Sequence, residues 1–250
     1  DGGAGMYNCY KLDCSIRGAV TTGMTADEIR KRMQGLDRQT RKEIEAMPYP
    51  EYVVNPKPEH QLLHRFLGRL GLNNQEIFYD VKDRRAVFPI KHKNVVIDAV
   101  GRALDGAIPK WFRYTGQASV FKRVLGTSND VCVVVEDVIS AIIVAQIMPN
   151  TTGLAILGTS LGPAQMEYIG DFHKVIIGLD PDAMSKTLAY KQEVETWTGK
   201  KVQALRLDDD IKYKLDSDVD RLKEMINAVS YTHLRAHETR HDLVCRLLLE

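Results

Sequence analysis

The sequence has few cysteines and no long apolar run. Its four cysteines are dispersed over 250 residues, which excludes a small fold built on disulfide bonds and favours a reducing compartment. The longest apolar stretches, Val131–Val135 and 139–145, are much shorter than the ~18 residues that a membrane-spanning helix requires. We therefore expect a cytoplasmic protein that has no membrane partner.

A large net charge of either sign is also lacking. Lysine and arginine number 34, aspartate and glutamate 33, and the formal net charge is +1. Any binding of nucleic acid must therefore depend on local patches. Hydrophobic residues make up 44% and charged residues 27%, which allows a sizeable core and argues against global disorder. No Gly-x4-Gly-Lys-Ser/Thr segment occurs, so a P-loop ATPase within this chain is excluded.

The first 58 residues divide into two segments by composition. Residues 1–24 begin with a glycine-rich stretch and lack the basic and apolar regions of a signal peptide. We expect the chain to begin inside a longer reading frame. In 25–58, Thr25 and Glu28 predict a capping box that opens a charged helix to about Ala46, and the four prolines that follow predict a linker.

Hydrophobic periodicity divides most of the remaining chain into two parts, 59–127 and 128–229. The first part has a predicted helix over 60–70 that stops at Gly71, followed by predicted strands over 85–90 and 94–100. In the second part strands alternate with helices, which predicts a parallel sheet covered on both faces. The predicted strands are Val131–Val135, 153–157, 173–179 and 201–207, and the predicted helices are 137–146, 163–169, 183–197 and 218–229.

Acidic residues follow three of these predicted strands. Glu136 comes directly after the first, Asp180 and Asp182 follow the third, and 208–210 is a run of three aspartates after the fourth. In open parallel sheets, ligands bind beyond the carboxyl ends of the strands. Carboxylates gathered there repel one another unless a cation neutralises them. Mg²⁺ suits such a site, because proteins hold it with one or two carboxylates together with substrate phosphates.

Each acidic feature also has a simpler interpretation. Asp182 could cap the helix that begins near Ala183, and 208–210 could be a solvated loop. Glu136 is the stronger candidate, because a carboxylate next to a five-residue apolar strand is unfavourable without a partner. The occurrence of all three features in one series of strands and helices favours a shared metal site.

Six short motifs occur in order along the chain. They are Val87-Phe88-Pro89-Ile90, Gly101-Arg102-Ala103-Leu104, Pro109-Lys110-Trp111, Phe121-Lys122, Leu157-Gly158-Thr159-Ser160 and Asp180-x-Asp182-Ala183. Together they resemble the RNA polymerase domain, with its Toprim fold, of phage and bacterial-type DNA primases. The resemblance covers 77–222, which is most of the chain, and its specificity comes from the order of several motifs rather than from any one.

The resemblance implies a fold and a set of functional residues. The fold is α/β: a Toprim-type parallel sheet flanked by helices, preceded by a smaller α+β subdomain and a partial zinc ribbon in 1–24. The implied catalytic residues are Glu136, Asp180 and Asp182, which hold Mg²⁺ or Mn²⁺ together with Asp210. The implied binding residues for template and nucleoside triphosphate are Arg102, Lys110, Lys122 and Lys186.

The chain departs from the bacterial primase pattern around its acidic residues. In that pattern a glycine follows the conserved glutamate and an aspartate comes four residues after it, whereas Asp137 follows Glu136 immediately. Pro181 also stands between the two aspartates of the Asp-x-Asp motif. Both differences resemble the primases of tailed phages more closely, and they leave the role of Asp137 open.

Cys9 and Cys14 resemble the second half of the zinc ribbon found in primases. A structural zinc site needs four thiolate or imidazole ligands, and this segment supplies only two, with four residues between them instead of the usual two. We expect Zn²⁺ in the intact parent protein and none in this fragment. The alternative is a pair of unrelated free cysteines.

Histidines and a cysteine near the carboxyl end have the spacing of one helix stripe: His233, His237, His241 and Cys245. We do not interpret them as a metal site, because 230–250 resembles translated sequencing-adaptor read-through and has no counterpart in the primase pattern. We expect the natural chain to leave this sequence near Val229.

The resemblance implies a nucleotidyltransferase, a DNA primase that synthesises RNA primers on single-stranded DNA in phage DNA replication. Its partners are a single-stranded DNA template, ribonucleoside triphosphates and a replicative helicase in cis or in trans, and its location is the host cytoplasm if a phage encodes it. Two alternatives stay open. They are a Toprim nuclease or topoisomerase-like enzyme, against which 87–111 argues, and a non-catalytic nucleic-acid-binding module.

Overall fold

A computed structural model of the chain describes residues 4–8, 17–21 and 46–228, except positions 74, 93 and 159. Strands β1 (Ala4–Asn8) and β2 (Arg17–Thr21) pair in antiparallel fashion. The predictions for Cys9 and Cys14, for the helix after Thr25 and for the segment 230–250 lie outside the described residues.

The first large sheet is antiparallel and is flanked by helix α1 (Gln61–Leu70). Helix α1 ends at Gly71, whose left-handed φ of 66° lets the chain turn away as the sequence predicts. The strands are β3 (Val53–Val54), β4 (Phe78–Asp80), β5 (Arg85–His92), β6 (Val95–Ala103) and β7 (Trp111–Arg113). They lie in sequential order, and the two longest, β5 and β6, form a hairpin at its centre.

The second sheet contains four parallel strands and one antiparallel edge strand. Its strands are β8 (Val120–Arg123), β9 (Val131–Val135), β10 (Thr152–Ile156), β11 (Lys174–Ile177) and β12 (Val202–Ala204). Their order is β12-β11-β9-β10-β8, with β8 as the antiparallel edge. The helices of this part are α2 (Val138–Ile147), α3 (Pro163–Gly170), α4 (Met184–Thr198) and α5 (216–228).

The expected fold class is confirmed: a mainly parallel sheet flanked by helices follows a smaller α+β part. The predicted strand over 201–207 is too long, because Leu205 and Leu207 are buried in the core after β12 has ended. Their apolar side chains continue the strand-like sequence pattern past the end of β12 at Ala204. None of the helices within the described ranges has the length and apolarity needed to cross a lipid bilayer.

Alternate residues of β9 face two different cores. Val133 and Val135 pack in a core with α1, α2 and the first sheet, whereas Cys132 and Val134 pack in a second core with α3 and α4. Burial on both faces explains why β9 is a continuous apolar run. Phe88 of β5 belongs to the same core as Val133, so a single apolar core joins the two large sheets.

An ion pair within the first sheet, between Asp98 of β6 and Arg113 of β7, also reaches the second sheet through Arg113. Arg113 donates through Nη2 to Oδ2 of Asp98, which is fully buried, at 2.5 Å, and through Nη1 to the carbonyl oxygen of Leu157 beyond β10 at 3.2 Å. The backbone N–H groups of Thr115 and Ala118 donate to the same carboxylate at 3.1 Å each. Burial raises the pKa of Asp98, but Arg113 and these hydrogen bonds outweigh burial and hold the pKa below its ordinary value.

We expect Asp98→Asn to lower the free energy of unfolding at pH 7 by about 3 kcal/mol, because it leaves Arg113 without its buried counter-charge. The folded-state pKa of Asp98 is depressed. Its stabilisation is therefore complete above the unfolded pKa of about 3.9 and is lost as the pH falls through the lower folded pKa. Urea denaturation at pH 7, 5 and 3 should show the difference between variant and parent shrinking at the lowest pH.

The matched control is Glu76→Gln, which removes an exposed ion pair with Lys91. This change should lower the free energy of unfolding by no more than about 1 kcal/mol. Equal losses of stability in the two variants would contradict a connecting role for Asp98.

Candidate functional site

Glu136 and Asp180 lie at the same edge of the second sheet. They follow β9 and β11, which are parallel neighbours. Gly178 N–H donates to the carbonyl oxygen of Val134 at 2.9 Å, which continues this pairing beyond the end of β11. The parallel pairing therefore brings both carboxylates to the carboxyl edge of the sheet, as the sequence predicts.

The pKa of Asp180 shows that several negative charges lie near this edge of the sheet. Burial raises its pKa, and the negative charges of Glu136, Asp137 and Asp182 raise it further, while the ammonium of Lys212 opposes them. Asp180 is partly buried, whereas Glu136 and Asp182 are exposed. The four carboxylates are thus within electrostatic reach of one another.

Neither Asp180 nor Asp182 is used as a helix cap. A short 3-10 helix, Pro181–Ala183, precedes α4, and the N-cap position of α4 is Ala183, with no side-chain capping bond. Asp180 occupies the N-cap position of the short helix and also makes no side-chain capping bond. The simpler interpretation of Asp182 as a cap for α4 therefore does not hold.

Asp137 has a clear structural role. It is the N-cap of α2, and its carboxylate accepts a hydrogen bond from the backbone N–H of Ser140 at 2.8 Å. The same carboxylate lies 3.5 Å from Nζ of Lys212. The residue that the sequence leaves open is thus a helix cap that also belongs to the charged edge.

The three aspartates of 208–210 differ in their surroundings. Asp208 is exposed and pairs with Arg221 at 2.9 Å. Asp209 is also exposed, and its Oδ1 accepts from the backbone N–H of Asp210 at 2.7 Å. Asp210 is buried, contacts Nζ of Lys212 and accepts from the hydroxyl of Ser140 at 3.1 Å. Of the three, only Asp210 contacts α2.

Sequence reasoning missed three residues that organise this region: Ser140, Lys212 and Asp218. Asp218 is fully buried, and its carboxylate accepts from the backbone N–H groups of Asp208 and Asp209 at 2.9 and 3.0 Å. Its place at the start of the predicted last helix was the available signal. Ser140 and Lys212 have no comparable signal, because the contacts that join α2 to this segment, Ser140 with Asp210 and Lys212 with Asp137, span 70 and 75 residues of the sequence.

The carboxylates fit a divalent cation in donor type and charge. Glu136, Asp180 and Asp182 supply hard oxygen donors. Burial is the main cause of the raised pKa of Asp180, and repulsion by the neighbouring carboxylates, which a cation would relieve, adds to it. In the part of the chain that the structure describes, no three His, Cys, Asp or Glu side chains stand close enough together to hold a metal ion. The residues therefore suit Mg²⁺ or Mn²⁺ chemically without being gathered in a ligating arrangement.

Arg102 faces the acidic edge from the first sheet. Its guanidinium carbon lies 5.3 Å from the ring centroid of Trp111. Burial lowers the pKa of Arg102, Asp137 and Tyr213 oppose this effect, and the neighbouring charge of Arg69 adds to it. Because the charge of Asp137 raises the pKa of Arg102, the two side chains interact electrostatically across the junction between the two sheets.

Lys186 lies in the first turn of α4, which follows Asp182 in the chain. Its Nζ lies 5.5 Å from the ring centroid of Tyr190. Burial raises the pKa of Tyr190, and the charges of Glu193 and Glu136 raise it further. Lys186 is therefore stacked on a ring that lies within electrostatic reach of Glu136.

Lys122 is on a different face of the second sheet. It stands opposite Leu154 in the pairing of β8 with β10, and its Nζ lies 5.7 Å from the ring centroid of Tyr168 in α3. This is the α3 face, whereas Arg102 acts near the first turn of α2. Lys110 is exposed just before β7. The structure thus places Arg102 within electrostatic reach of Asp137, sets Lys186 against Tyr190 in α4, and leaves Lys122 apart on the α3 face.

No family model and no curated protein matches the chain. Among solved structures, it is similar to the DnaG primase catalytic domain bound to ssDNA at 19% identity and TM-score 0.47, over 78% of this chain and 73% of that chain. It is similar to the zinc-binding and RNA polymerase domains of the Aquifex aeolicus primase at 20% identity and TM-score 0.49, over 82% of this chain and 62% of that chain. It is also similar to the primase fragment of the bacteriophage T7 primase-helicase at 16% identity and TM-score 0.43, over 76% of this chain and 84% of that chain. At these identities and scores, functional assignment depends on the site itself.

Proposed function

We propose that this chain is the catalytic part of a DNA primase that synthesises short RNA primers on single-stranded DNA in phage DNA replication. The observation that carries the proposal is the position of Glu136, Asp180 and Asp182 beyond the ends of two neighbouring parallel strands. The primase-like motifs between 87 and 183 support it. The activity is that of a metal-dependent nucleotidyltransferase.

In the proposed domain organisation, residues 59–127 form the first subdomain of the catalytic core, and 128–229 form the Toprim domain. These bounds do not coincide with the two large sheets, because β3 of the first sheet precedes residue 59 and β8 of the second sheet lies within 59–127. Cys9 and Cys14 bind Zn²⁺ only in an intact parent protein. The proposed partners are the DNA template, ribonucleoside triphosphates and a replicative helicase, and the proposed location is the host cytoplasm.

The three carboxylates have a common role in this proposal. Glu136, Asp180 and Asp182 would hold Mg²⁺ or Mn²⁺. A divalent ion held there would supply positive charge to neutralise nucleotide phosphates during nucleotidyl transfer. The partial burial of Asp180 limits the access of water to the site and strengthens its electrostatic interactions.

The basic residues bind phosphate groups. Arg102 can form two parallel hydrogen bonds to one phosphate, and its stacking on Trp111 holds the guanidinium in place. Lys186, which lies against the ring of Tyr190 in α4, supplies a single charge. Lys110 and Lys122 are exposed, and we assign to them contacts with the template backbone farther from the acidic edge.

The first test is Asp180→Asn in the 250-residue chain. We expect primer synthesis on single-stranded DNA with ribonucleotides and Mn²⁺ to fall by about 10³-fold, equivalent to ~4 kcal/mol, because one anionic ligand is lost. The thermal unfolding temperature without divalent ions should not fall, because burial and neighbouring charges already disfavour this carboxylate. Gel analysis of labelled oligonucleotides and calorimetry measure the two effects.

Asp171→Asn is the matched control for Asp180→Asn. Asp171 is an exposed aspartate at the end of α3, before β11 begins and therefore at the opposite edge of the sheet. This variant should retain full primer synthesis. Unchanged synthesis in Asp180→Asn would remove this residue from the mechanism, and cleavage of the DNA instead of primer synthesis would favour a nuclease.

A second test compares Arg102→Gln with Arg102→Lys. We expect Gln to raise the KM for ribonucleotides by about tenfold, corresponding to the ~1.4 kcal/mol of a charge-assisted hydrogen bond, and Lys to recover only part of that loss. Arg84→Gln is the control, since Arg84 is exposed and pairs only loosely with Asp105 at 3.7 Å. Equal KM values for the Arg102 and Arg84 variants in steady-state kinetics would argue against phosphate binding by Arg102.

A further inference from the structure

Tyr213 presents an aromatic ring to solvent beside the first turn of α2. It is the last residue of the short 3-10 helix Ile211–Tyr213, and 58% of it is exposed. Nζ of Lys212 lies 5.4 Å from the centroid of this ring and 3.5 Å from a carboxylate oxygen of Asp137, the N-cap of α2. The ring is therefore close to the charged edge of the second sheet and still open to a ligand.

Three contacts hold the segment that carries this ring. Ile211 is buried in the core that contains α2. Lys214 donates through Nζ to Oε1 of Gln146 at 3.1 Å, and Nε2 of Gln146 donates to the carbonyl oxygen of Gly71 at 2.9 Å. The segment is thus joined to α2 and to the end of α1, so a ligand that binds Tyr213 need not order a free loop.

Two arginines near Tyr213 have no counter-ion. Neither Arg69, in the last turn of α1, nor Arg102 forms an ion pair or a side-chain hydrogen bond with another described residue. Both Arg69 and Tyr213 influence the pKa of Arg102. The end of α1 also lies directly beside the segment, since a Cβ atom at Gly71 would be 3.4 Å from Nζ of Lys214. Two unpaired guanidinium groups and an exposed ring therefore share one surface.

A nucleotide combines the two features that this surface can bind. Its base has a flat π face that stacks on aromatic side chains, and its phosphates accept parallel hydrogen bonds from arginine. Single exposed apolar side chains are common on proteins. Tyr213 differs from them because unpaired cations lie within electrostatic reach of its ring.

We propose that Tyr213 stacks on the base of a ribonucleotide whose phosphates Arg102 binds, and that it favours purine over pyrimidine nucleotides. This inference rests on the proposed function and deepens it by naming the residue that contacts the base. Stacking depends on the area of the base rather than on its hydrogen-bonding groups, so a purine covers more of the ring than a pyrimidine does. The contact uses side chains of this chain alone.

The test is calorimetric titration of the 250-residue chain with ATP, CTP and inorganic tripolyphosphate, with equal Mg²⁺ in every titration. Tyr213→Ala should weaken ATP binding by about tenfold and CTP binding by less. Its affinity for tripolyphosphate should not change, because that ligand has no base. Arg102→Gln should weaken the binding of all three ligands.

Further variants separate stacking from a merely structural role. Tyr213→Phe keeps the ring and should retain the ATP affinity of the unaltered chain, whereas Tyr213→Leu should lose as much affinity as Tyr213→Ala. Leu215→Ala is the matched control, because Leu215 is an exposed apolar residue of the same segment that has no ring; its ATP affinity should not change. In NMR spectra, the adenine ring protons of bound ATP should shift upfield with the unaltered chain and Tyr213→Phe, and not with Tyr213→Ala.

Circular dichroism and thermal unfolding establish that each variant is folded, and the comparison of Tyr213→Phe with Tyr213→Leu tests the proposal even if Tyr213→Ala is unstable. Unchanged ATP affinity in Tyr213→Ala would overturn the inference. Equal losses of ATP and tripolyphosphate affinity would overturn it too, because such a loss does not come from the base. Fluorescence anisotropy of a labelled single-stranded oligodeoxynucleotide should give the same affinity for Tyr213→Ala and the unaltered chain. A loss of DNA affinity with ATP affinity retained would assign the ring to the template instead.

The outcomes distinguish this inference from the proposed function. If ATP binding depends on Tyr213 but the unaltered chain makes no primers, the primase assignment fails and the nucleotide contact stands. If the unaltered chain makes primers and Tyr213→Ala binds ATP equally well, only the role of Tyr213 is wrong.

Discussion

The parallel pairing of β9 with β11 is the constraint on which the candidate site depends. Both strands are buried on both faces, so their direction and register are set by the two apolar cores rather than by local sequence. Their shared carboxyl edge then places Glu136 and Asp180 together, although 44 positions separate them in the numbering. The packing of the two cores therefore keeps the two carboxylates near each other despite their electrostatic repulsion.

Charge balance at the edge comes from two directions. Lys212 follows β12 and neutralises the carboxylates nearest to α2, and Arg102 acts from the first sheet. The position of Arg102 depends on how the two sheets pack at their junction. The shared apolar core and the contacts of Arg113 with Asp98 and Leu157 stabilise this junction. Stability and the proposed phosphate binding are thus coupled through the same junction.

Much of the fold could be predicted because its signals are local. The apolar run of Val131–Val135 marks a strand buried on both faces, and Gly71 marks the end of α1. The strand-end rule also predicts a common edge for Glu136 and Asp180. The prediction was wrong at 205–207, because β12 ends at Ala204: Leu205 makes one further hydrogen bond to Ile177 of β11 at 2.8 Å, and Leu207 is buried beyond the end of the strand.

The sequence by itself determined the alternation of strands and helices and the position of acidic residues after the strands, since both depend on short-range periodicity and order. Only the tertiary structure decided the strand order β12-β11-β9-β10-β8, which places Lys122 on the α3 face. It also decided which carboxylates already have a cation. Asp137 and Asp210 share Lys212 because segments about 70 residues apart pack together, and no local pattern encodes such a contact.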